Sequence, residues 1–210
     1  MATDPMFGGI GTAVDPGVLL TPSPGRRARV SVVNLSGLPS DSQRQGFVNQ
    51  LQMALFAWIK KNPAGDRPLG GLFVMDEAQT FAPSGQTTAC TQSTLALASQ
   101  ARKYGLGLVF ATQAPKGLNN RIPGNAATQF YGLLNSPRPD RRGEGDGRGE
   151  GRHGTRYRPA AAGQFYAAVE GGAEFRKTQT PLCLTYHPKS PPTEEEVLEL
   201  ARASAPIRHE

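Results

Sequence analysis

GGLFVMDEAQ, residues 70–79, joins four consecutive apolar residues directly to two carboxylates. The apolar run, residues 72–75, is short and shows no polar alternation, which predicts a strand buried on both faces of a sheet. Asp76 and Glu77 follow at the point where such a strand ends. A buried, unpaired carboxylate loses its hydration or changes its protonation state. We therefore expect this pair of acids to face a cation or to take part in a reaction.

Strands and helices alternate along the chain on both sides of this stretch. The valine-rich segment RVSVVNL, residues 29–35, predicts a buried strand. A helix should follow, capped by Ser40 or Asp41 and ending near Asn62. The pattern then predicts a helix over 87–104, a strand over 106–113 and a strand over 127–134. Such alternation is typical of an α/β fold, in which a parallel sheet has helices on both faces.

The C-terminal part of the chain predicts a small extension of two strands and a helix. GQFYAAVE, residues 163–170, and PLCLTYHP, residues 181–188, are the two strands. Thr193 and Glu196 have the spacing of a capping box, which opens a short helix.

An arginine- and glycine-rich segment separates this extension from the α/β core. Residues 138–158 contain seven arginines, four acids and six glycines, with a net charge of +3. The segment has no apolar periodicity and cannot bury a core, which predicts disorder. The predicted divisions are an irregular lead-in (1–28), a core (29–137), a disordered insert (138–162) and C-terminal strands with a helix (163–210).

The length, charge and composition of the chain exclude several classes of protein. The chain has 210 residues and a net charge of +6, which permits a polyanionic partner without requiring one. We find neither an apolar run that spans a bilayer nor a signal peptide, so we expect a cytoplasmic protein without membrane contact. Cys90 and Cys183 form no CxxC pair and are expected to be buried free thiols. The three histidines show no metal-ligand spacing.

Two polar clusters lie at predicted strand ends. Asp76 and Glu77 follow the strand over 72–75, and Thr112 and Gln113 end the strand over 106–113. Ligands of parallel sheets bind beyond the carboxyl ends of the strands, so neighbouring strands would bring both clusters to one crevice. A glutamine at a strand end can contact a γ-phosphate. Strands that end in acids beside a cation or a helix are also common, so each cluster alone is a weak signal.

The order DEAQ (76–79) followed by QARKYGLGLVFATQAPKGLNNRI (100–122) resembles the HerA/FtsK group of P-loop ATPases. The similarity is strongest to bacterial HerA-like ATP-binding proteins, which are hexameric DNA translocases or helicases. It runs over about 6–137 and 163–203. The resemblance implies the C-terminal part of a RecA-like ATPase core, with ATP and Mg²⁺ as cofactors. It also implies a hexameric ring, DNA as a partner and, in some relatives, a nuclease partner.

The resemblance implies a role for each matching residue. Asp76 would hold Mg²⁺ through water, Glu77 would activate the attacking water, and Gln113 would couple the γ-phosphate to movement. Arg102 would reach into the nucleotide site of the neighbouring subunit. Without the resemblance, the sequence favours a simpler role, in which Arg102 and Lys103 are cations that stabilise the C-terminal end of a helix.

Other matching residues would surround this site. Gln79 and Thr112 would support the nucleotide-binding residues, or they could be hydrogen-bonded residues at strand ends. Lys116 and Arg121, with Asn119 and Asn120 between them, lie in a loop that could meet DNA phosphates in a ring pore. A solvated loop is the alternative.

Two departures limit what the resemblance implies. The sequence contains no GxxxxGK[ST] phosphate-binding loop, and its glycine-rich piece, residues 7–17, lacks the lysine. The segment at 138–158 replaces an Ala/Glu-rich helix of the family, through a local frameshift or as a nucleic-acid-binding tail. We therefore expect the C-terminal portion of an ATPase, inactive alone. The alternatives are a non-enzymatic remnant and a basic protein that binds nucleic acid through residues 138–158.

Overall fold

The computed structural model describes residues 14–132, 161–171, 176–185 and 188–204, which form two compact units. The first unit contains 14–125 and 189–204, and the second contains the described part of 126–188. The elements of the first unit are α1 (Pro16–Leu20), α2 (Asp41–Lys61), β1 (Gly71–Met75), α3 (Thr91–Gln100), β2 (Leu106–Phe110) and α4 (Glu194–Ser204). Those of the second are β3 (Thr128–Tyr131), β4 (Gln164–Val169) and β5 (Arg176–Gln179).

The first unit is an α/β arrangement built on a parallel pair of strands. β1 and β2 pair in register from Gly71 opposite Leu106 to Met75 opposite Phe110. Side chains on one face of this pair pack against α2 and α3. The core of this face includes Val48, Ile59, Phe73, Met75, Leu95, Leu97, Leu106, Leu108 and Phe110.

The opposite face of the strand pair is exposed. Leu72 is 51% exposed and Val74 is 58% exposed, and Val109 on β2 is also exposed. The prediction that the strand over 72–75 is buried on both faces is therefore wrong, as is the prediction of helices on both faces within the described residues. Successive side chains of a strand point to opposite faces, and both helices that follow the predicted pattern pack on the same side.

The segment over 29–35 does not form the predicted strand. Its residues belong to no regular element, and Val30 and Val32 are 87% and 85% exposed. Within the described residues, β1 and β2 pair only with each other, so no neighbouring strand provides hydrogen bonds to this segment. The lead-in also differs from prediction, because residues 16–20 form a helix whose N-cap is Asp15.

Local signals place the helix ends of the first unit. Ser40, rather than Asp41, caps α2, and it forms a capping box with Gln43. Asn62 ends α2 as predicted. α3 begins at Thr91, four residues later than predicted, and a 3₁₀ turn over Ala101–Tyr104 continues it to Gly105.

A buried polar network joins α2 to α3. Gln52 and Thr94 are both fully buried. The Ser93 hydroxyl donates to Gln52 Oε1 at 2.6 Å, and Gln52 Nε2 donates to Thr94 Oγ1 at 3.0 Å. The Thr94 hydroxyl donates to the Cys90 carbonyl at 2.8 Å. Because every polar group of the network has a partner, the helices contact through polar side chains without an unpaired buried group.

The second unit is an antiparallel sheet in the order β3–β4–β5. The strand predicted over 127–134 therefore forms, at 128–131, but it does not extend the parallel sheet. The strand predicted over 163–170 forms as β4. The strand predicted over 181–188 is wrong for 181–185, which form no regular element, and β5 at 176–179 takes its place beside β4. The insert predicted over 138–162 lies almost wholly outside the described residues.

The C-terminal helix begins where the sequence predicts. Thr193 and Glu196 form the predicted capping box ahead of α4. Each helix in the described part of the chain is too short or too polar to cross a bilayer.

The two cysteines differ in environment, although both are free thiols. Cys90 is buried as predicted, and burial raises the pKa of its thiol. Cys183 is exposed, which corrects the prediction. The Thr185 hydroxyl lies 2.8 Å from Cys183 Sγ, and its hydrogen bond to the thiolate lowers the pKa of Cys183.

We therefore expect iodoacetamide to distinguish the two thiols. Cys183 should react in the folded protein, with its half-maximal rate at a lower pH than in the denatured chain, because a lowered pKa increases the thiolate fraction. Cys90 should react only on unfolding. Mass spectrometry of each peptide after alkylation across pH 6–10 would measure both rates. Thr185→Val should shift the Cys183 midpoint to higher pH, and an unchanged midpoint would contradict this account.

Candidate functional site

The parallel register brings two loops together beyond β1 and β2. Ala111 N donates to the Met75 carbonyl at 2.9 Å, and Ala78 N donates to the Ala111 carbonyl at 2.9 Å. These bonds extend the pairing of the strands past their ends. The residues that follow each strand, 76–79 and 112–113, are therefore held next to each other.

Two amide side chains hold the Glu77 carboxylate, one from each loop. Gln79 Nε2 donates to Glu77 Oε2 at 2.5 Å. Gln113 Nε2 donates to Glu77 Oε1 at 2.6 Å. Each carboxylate oxygen thus has its own donor, and hydrogen bonds to a charged acceptor are the stronger ones in proteins.

The chemistry of these groups fixes the orientation of both amides. An ionised carboxylate only accepts hydrogen bonds, so each glutamine must direct its nitrogen towards Glu77. The amide oxygen of Gln79 then accepts from the Thr112 hydroxyl at 2.5 Å. Thr112 Oγ1 in turn accepts from Ala114 N at 3.0 Å. Thr112, Gln79, Glu77 and Gln113 therefore form one hydrogen-bonded chain, which we call the strand-end network.

The backbone at Glu77 is unusual. Its φ of 47° and ψ of 45° place it in the left-handed region, and among the described residues it is the one non-glycine with a positive φ. A non-glycine residue in this region costs on the order of 1–3 kcal/mol, which the surrounding contacts must offset. Asp76 Oδ1 accepts from Glu77 N at 2.9 Å and helps to set the turn. The turn directs the Glu77 side chain back towards the end of β2.

Asp76 is exposed, and Glu77 is half-buried. The cost of burying an unpaired carboxylate therefore does not apply to Asp76, which is open to solvent. In the described part of the chain the one ion pair joins Arg44 to Asp41, so no cation neutralises either acid there. The same residues contain no group of three acids, histidines or cysteines that could hold a metal ion. A cation at Asp76 would thus need water or a ligand to complete its coordination.

Arg102 does not meet the strand-end network within its own chain. It lies in the 3₁₀ turn that precedes β2, whereas Thr112 and Gln113 follow β2. Its side chain is exposed. The length of β2 therefore separates Arg102 from Glu77.

The loop that contains Lys116 and Arg121 follows the strand-end network directly. Both side chains are exposed. Two hydrogen bonds join this loop to residues 82–84. Ser84 Oγ donates to the Lys116 carbonyl at 3.0 Å, and Asn119 N donates to the Ala82 carbonyl at 2.9 Å. Asn119 Oδ1 also accepts from Arg121 N at 3.1 Å, and Asn120 is exposed.

One supporting contact has no counterpart in the sequence analysis. Gln45 Nε2, on α2, donates to the Thr80 carbonyl at 2.9 Å and holds the turn that contains Gln79. A glutamine on the surface of an amphipathic helix carries no signal of such a partner. Only the packing of α2 beside the turn at 78–80 defines this role.

Comparison with known proteins adds little to these observations. No protein-family model matches the chain, and no curated protein matches it. Among solved structures, the genome packaging NTPase B204 from Sulfolobus turreted icosahedral virus 2, solved in complex with ATP-gammaS, is similar with a TM-score of 0.46. The two sequences are 15% identical, and the match covers 74% of this chain and 68% of that chain. A likeness of this extent does not establish a family or a ligand. The described residues define an α/β protein with a polar site at the carboxyl ends of two parallel strands.

Proposed function

We propose that this chain carries the hydrolytic edge of an ATP-binding site of the HerA/FtsK kind. The observation that supports it most directly is the Glu77 carboxylate, fixed by amides from two neighbouring strand ends. A residue that activates water must be held in one position, because even a small displacement of a catalytic group strongly lowers the reaction rate. The motifs DEAQ and ATQ, which resemble that group, supply the residues of this network.

Each residue then has a distinct task. Asp76 is exposed beside Glu77 and would hold Mg²⁺ through water. Glu77 would orient and deprotonate the attacking water, and Gln113 would exchange its bond to Glu77 for one to the γ-phosphate. Gln79 and Thr112 would keep Glu77 in position. When bound, Mg²⁺ neutralises charge on the phosphate oxygens.

In this proposal the intact enzyme is a hexameric, cytoplasmic DNA translocase or helicase. Arg102 would act on the site of a neighbouring subunit, which agrees with its exposure and its distance from Glu77 in its own chain. Lys116 and Arg121 would contact DNA phosphates. Any nuclease partner would act with the assembled ring.

The phosphate cradle would come from another polypeptide segment. The sequence contains no GxxxxGK[ST] loop, whose backbone amides and lysine bind phosphates in such ATPases. Parallel sheets are normally covered on both faces. Leu72, Val74 and Val109 are exposed, and among the described residues no strand pairs with the outer edges of β1 and β2. Both observations agree with a sheet that further strands and helices complete.

A non-enzymatic remnant is the second candidate. The missing phosphate-binding loop favours it, since the backbone amides and the lysine of that loop bind the phosphates in such ATPases. A remnant would keep the strand-end network as part of the fold and would bind no nucleotide.

Binding of Mg·ATP distinguishes the two candidates. We expect the full chain to bind Mg·ATP weakly, with a Kd on the order of 1 mM, because the metal contact remains and the cradle is absent. Ligand-observed NMR, with and without Mg²⁺, is suited to this range. Binding should require Mg²⁺ and should be lost in Asp76→Asn. Asp66→Asn, which removes an exposed acid ahead of β1, is the matched control.

The outcomes separate clearly. No binding at millimolar ATP would overturn the hydrolytic proposal and support the remnant. Binding that does not depend on Mg²⁺ or Asp76 would overturn the proposed metal-dependent site and would contradict the remnant as well. Micromolar binding would show a complete cradle in this chain and would contradict an origin in another segment.

A further inference from the structure

Five cations of the first unit lie at the amino ends of β1 and β2, opposite the strand-end network. α2 leads through a loop into β1, and α3 leads through a 3₁₀ turn into β2. The C-terminal ends of both helices therefore lie at the same edge of the strand pair. We call this set the amino-edge cluster; its members are Lys60, Lys61, Arg67, Arg102 and Lys103.

Ring contacts and hydrogen bonds hold these residues close to one another. Lys60 Nζ lies 4.0 Å from the centre of the Phe56 ring, and that ring packs edge-on against Tyr104 with centroids 6.2 Å apart. The Tyr104 carbonyl accepts from Ala64 N at 3.0 Å. Arg67 Nε donates to the Ala64 carbonyl at 3.2 Å. Arg102 and Lys103 directly precede Tyr104.

The cluster carries an excess of positive charge. All five cations are exposed. The segments that contain them, residues 60–67 and 101–104, include one acid, Asp66, which leaves a net charge of +4. None of the five belongs to an ion pair in the part of the chain that the structure describes. Cations often stabilise helix C-termini, but each terminus carries only about half a negative charge. The partial negative charges of two helix termini therefore do not neutralise five cations. Arg67 also lies outside both helices.

We propose that four cations of the amino-edge cluster, Lys60, Lys61, Arg67 and Lys103, bind the phosphate backbone of DNA without sequence preference. Arg102 keeps the role that the proposed function gives it. Phe56 and Tyr104 are half-buried, so cations rather than aromatic rings form the outer surface of the cluster. Protein partners usually bury an apolar centre with few charges. A regular polyanion instead requires several exposed cations on flexible side chains, which bind by releasing counterions. This surface is separate from Lys116 and Arg121, which follow β2.

The test is the affinity of the full chain for a fluorescent 20-base-pair duplex, measured by anisotropy from 50 to 200 mM salt without nucleotide or Mg²⁺. The test variant combines Lys61→Gln, Arg67→Gln and Lys103→Gln. It leaves Arg102, which the proposed ATPase uses, and Lys60, which contacts Phe56. The control variant removes equal charge from the exposed residues Arg176, Lys177 and Lys189, each replaced by Gln.

We expect the test variant to bind at least 10-fold more weakly at 50 mM salt. The slope of log affinity against log salt should fall in magnitude by about 3, at roughly 0.9 for each lost phosphate contact. The control variant should change the affinity less than 3-fold. A third variant, Lys61→Arg, Arg67→Lys and Lys103→Arg, keeps the charge and should keep the affinity, which separates charge from a loss of fold.

Three results would overturn the proposal: no duplex binding by the parent, equal loss in the test and control variants, or loss of affinity in the charge-conserving variant. Repeating the comparison with the seven arginines of 138–158 replaced by Gln tests the rival surface. The effect of the test variant should persist there, and complete loss of binding in that background would assign DNA binding to the segment. Because nucleotide is absent throughout, failure here leaves the proposed ATP site untouched.

Discussion

Replacing Gly105 by alanine should lower the free energy of unfolding by about 3 kcal/mol or more, as two separate costs add. Gly105 ends the 3₁₀ turn before β2 with a φ of +76°. A left-handed backbone costs a non-glycine residue roughly 1–2 kcal/mol. A Cβ at this position would also lie 2.2 Å from the Cβ of Ala64, which is closer than any real contact. Relieving that overlap must move the loop before β1 or the start of β2, at a typical cost of about 1–3 kcal/mol.

Gly65 provides a matched control for the first of these costs. Its φ is +61°, and nothing lies within 4 Å of a Cβ built there. Gly65→Ala should therefore destabilise the protein by only about 1–2 kcal/mol. Urea denaturation of both variants gives the difference, which measures the overlap with Ala64. Adding Ala64→Gly to Gly105→Ala should recover part of the loss, and equal destabilisation by the two single alanine variants would contradict the argument.

The elements that the sequence predicts well are those with local causes. The helix cap at Ser40 (predicted at Ser40 or Asp41), the stop at Asn62 and the capping box of Thr193 and Glu196 each depend on residues a few positions apart. Likewise, the apolar runs that end at Met75 and Phe110 form strands because they are short and bounded by polar residues. Their pairing follows from the helix between them, since a connection of this length joins parallel neighbours.

The elements that the sequence predicts poorly depend on distant partners. Residues 29–35 have the composition of a strand, but a strand needs a neighbour for its backbone hydrogen bonds. Residues 128–131 pair with β4, far along the chain, and no periodicity indicates which sheet a strand joins. The wrong prediction for β1 has the same cause, because an apolar run does not reveal whether one or both of its faces are covered.

The candidate site is intermediate between these cases. The meeting of the two strand ends follows from parallel pairing, which the alternation of strands and helices indicates. The individual bonds do not follow, because the sequence does not show the left-handed turn at Glu77. That turn places Gln79 and Gln113 on separate oxygens of one carboxylate. Without it, Gln79 would be one of several polar residues in a loop.

Under the proposed function, Glu77→Gln in the ATPase completed by its phosphate cradle should lower the rate of Mg·ATP hydrolysis by at least about 100-fold, because an amide cannot accept a proton from water. The substitution also disturbs the strand-end network. The carboxylate accepts one hydrogen bond at each oxygen, whereas an amide offers one acceptor and one donor. The new amide nitrogen would face an amide nitrogen unless Gln113 turns its oxygen towards position 77, and in either case the hydrogen bonds lose the negative charge of their acceptor. A loss of rate in this variant alone would not separate chemistry from structure.

Exchanging the two groups separates these effects. In Glu77→Gln combined with Gln113→Glu, the amide introduced at position 77 can accept from Gln79 and donate to the carboxylate introduced at position 113. The hydrogen bonds and the net charge are then restored, and the free energy of unfolding should return to within about 0.5 kcal/mol of the parent, since one hydrogen bond contributes about 1 kcal/mol. Hydrolysis should stay lost, because the carboxylate has moved to the neighbouring strand end. Phosphate release by the completed ATPase at millimolar Mg·ATP gives the rate, and urea denaturation of this chain gives the free energy of unfolding. Recovery of hydrolysis in the exchanged variant would mean that Glu77 acts only through its hydrogen bonds and that the attacking water is activated by another group.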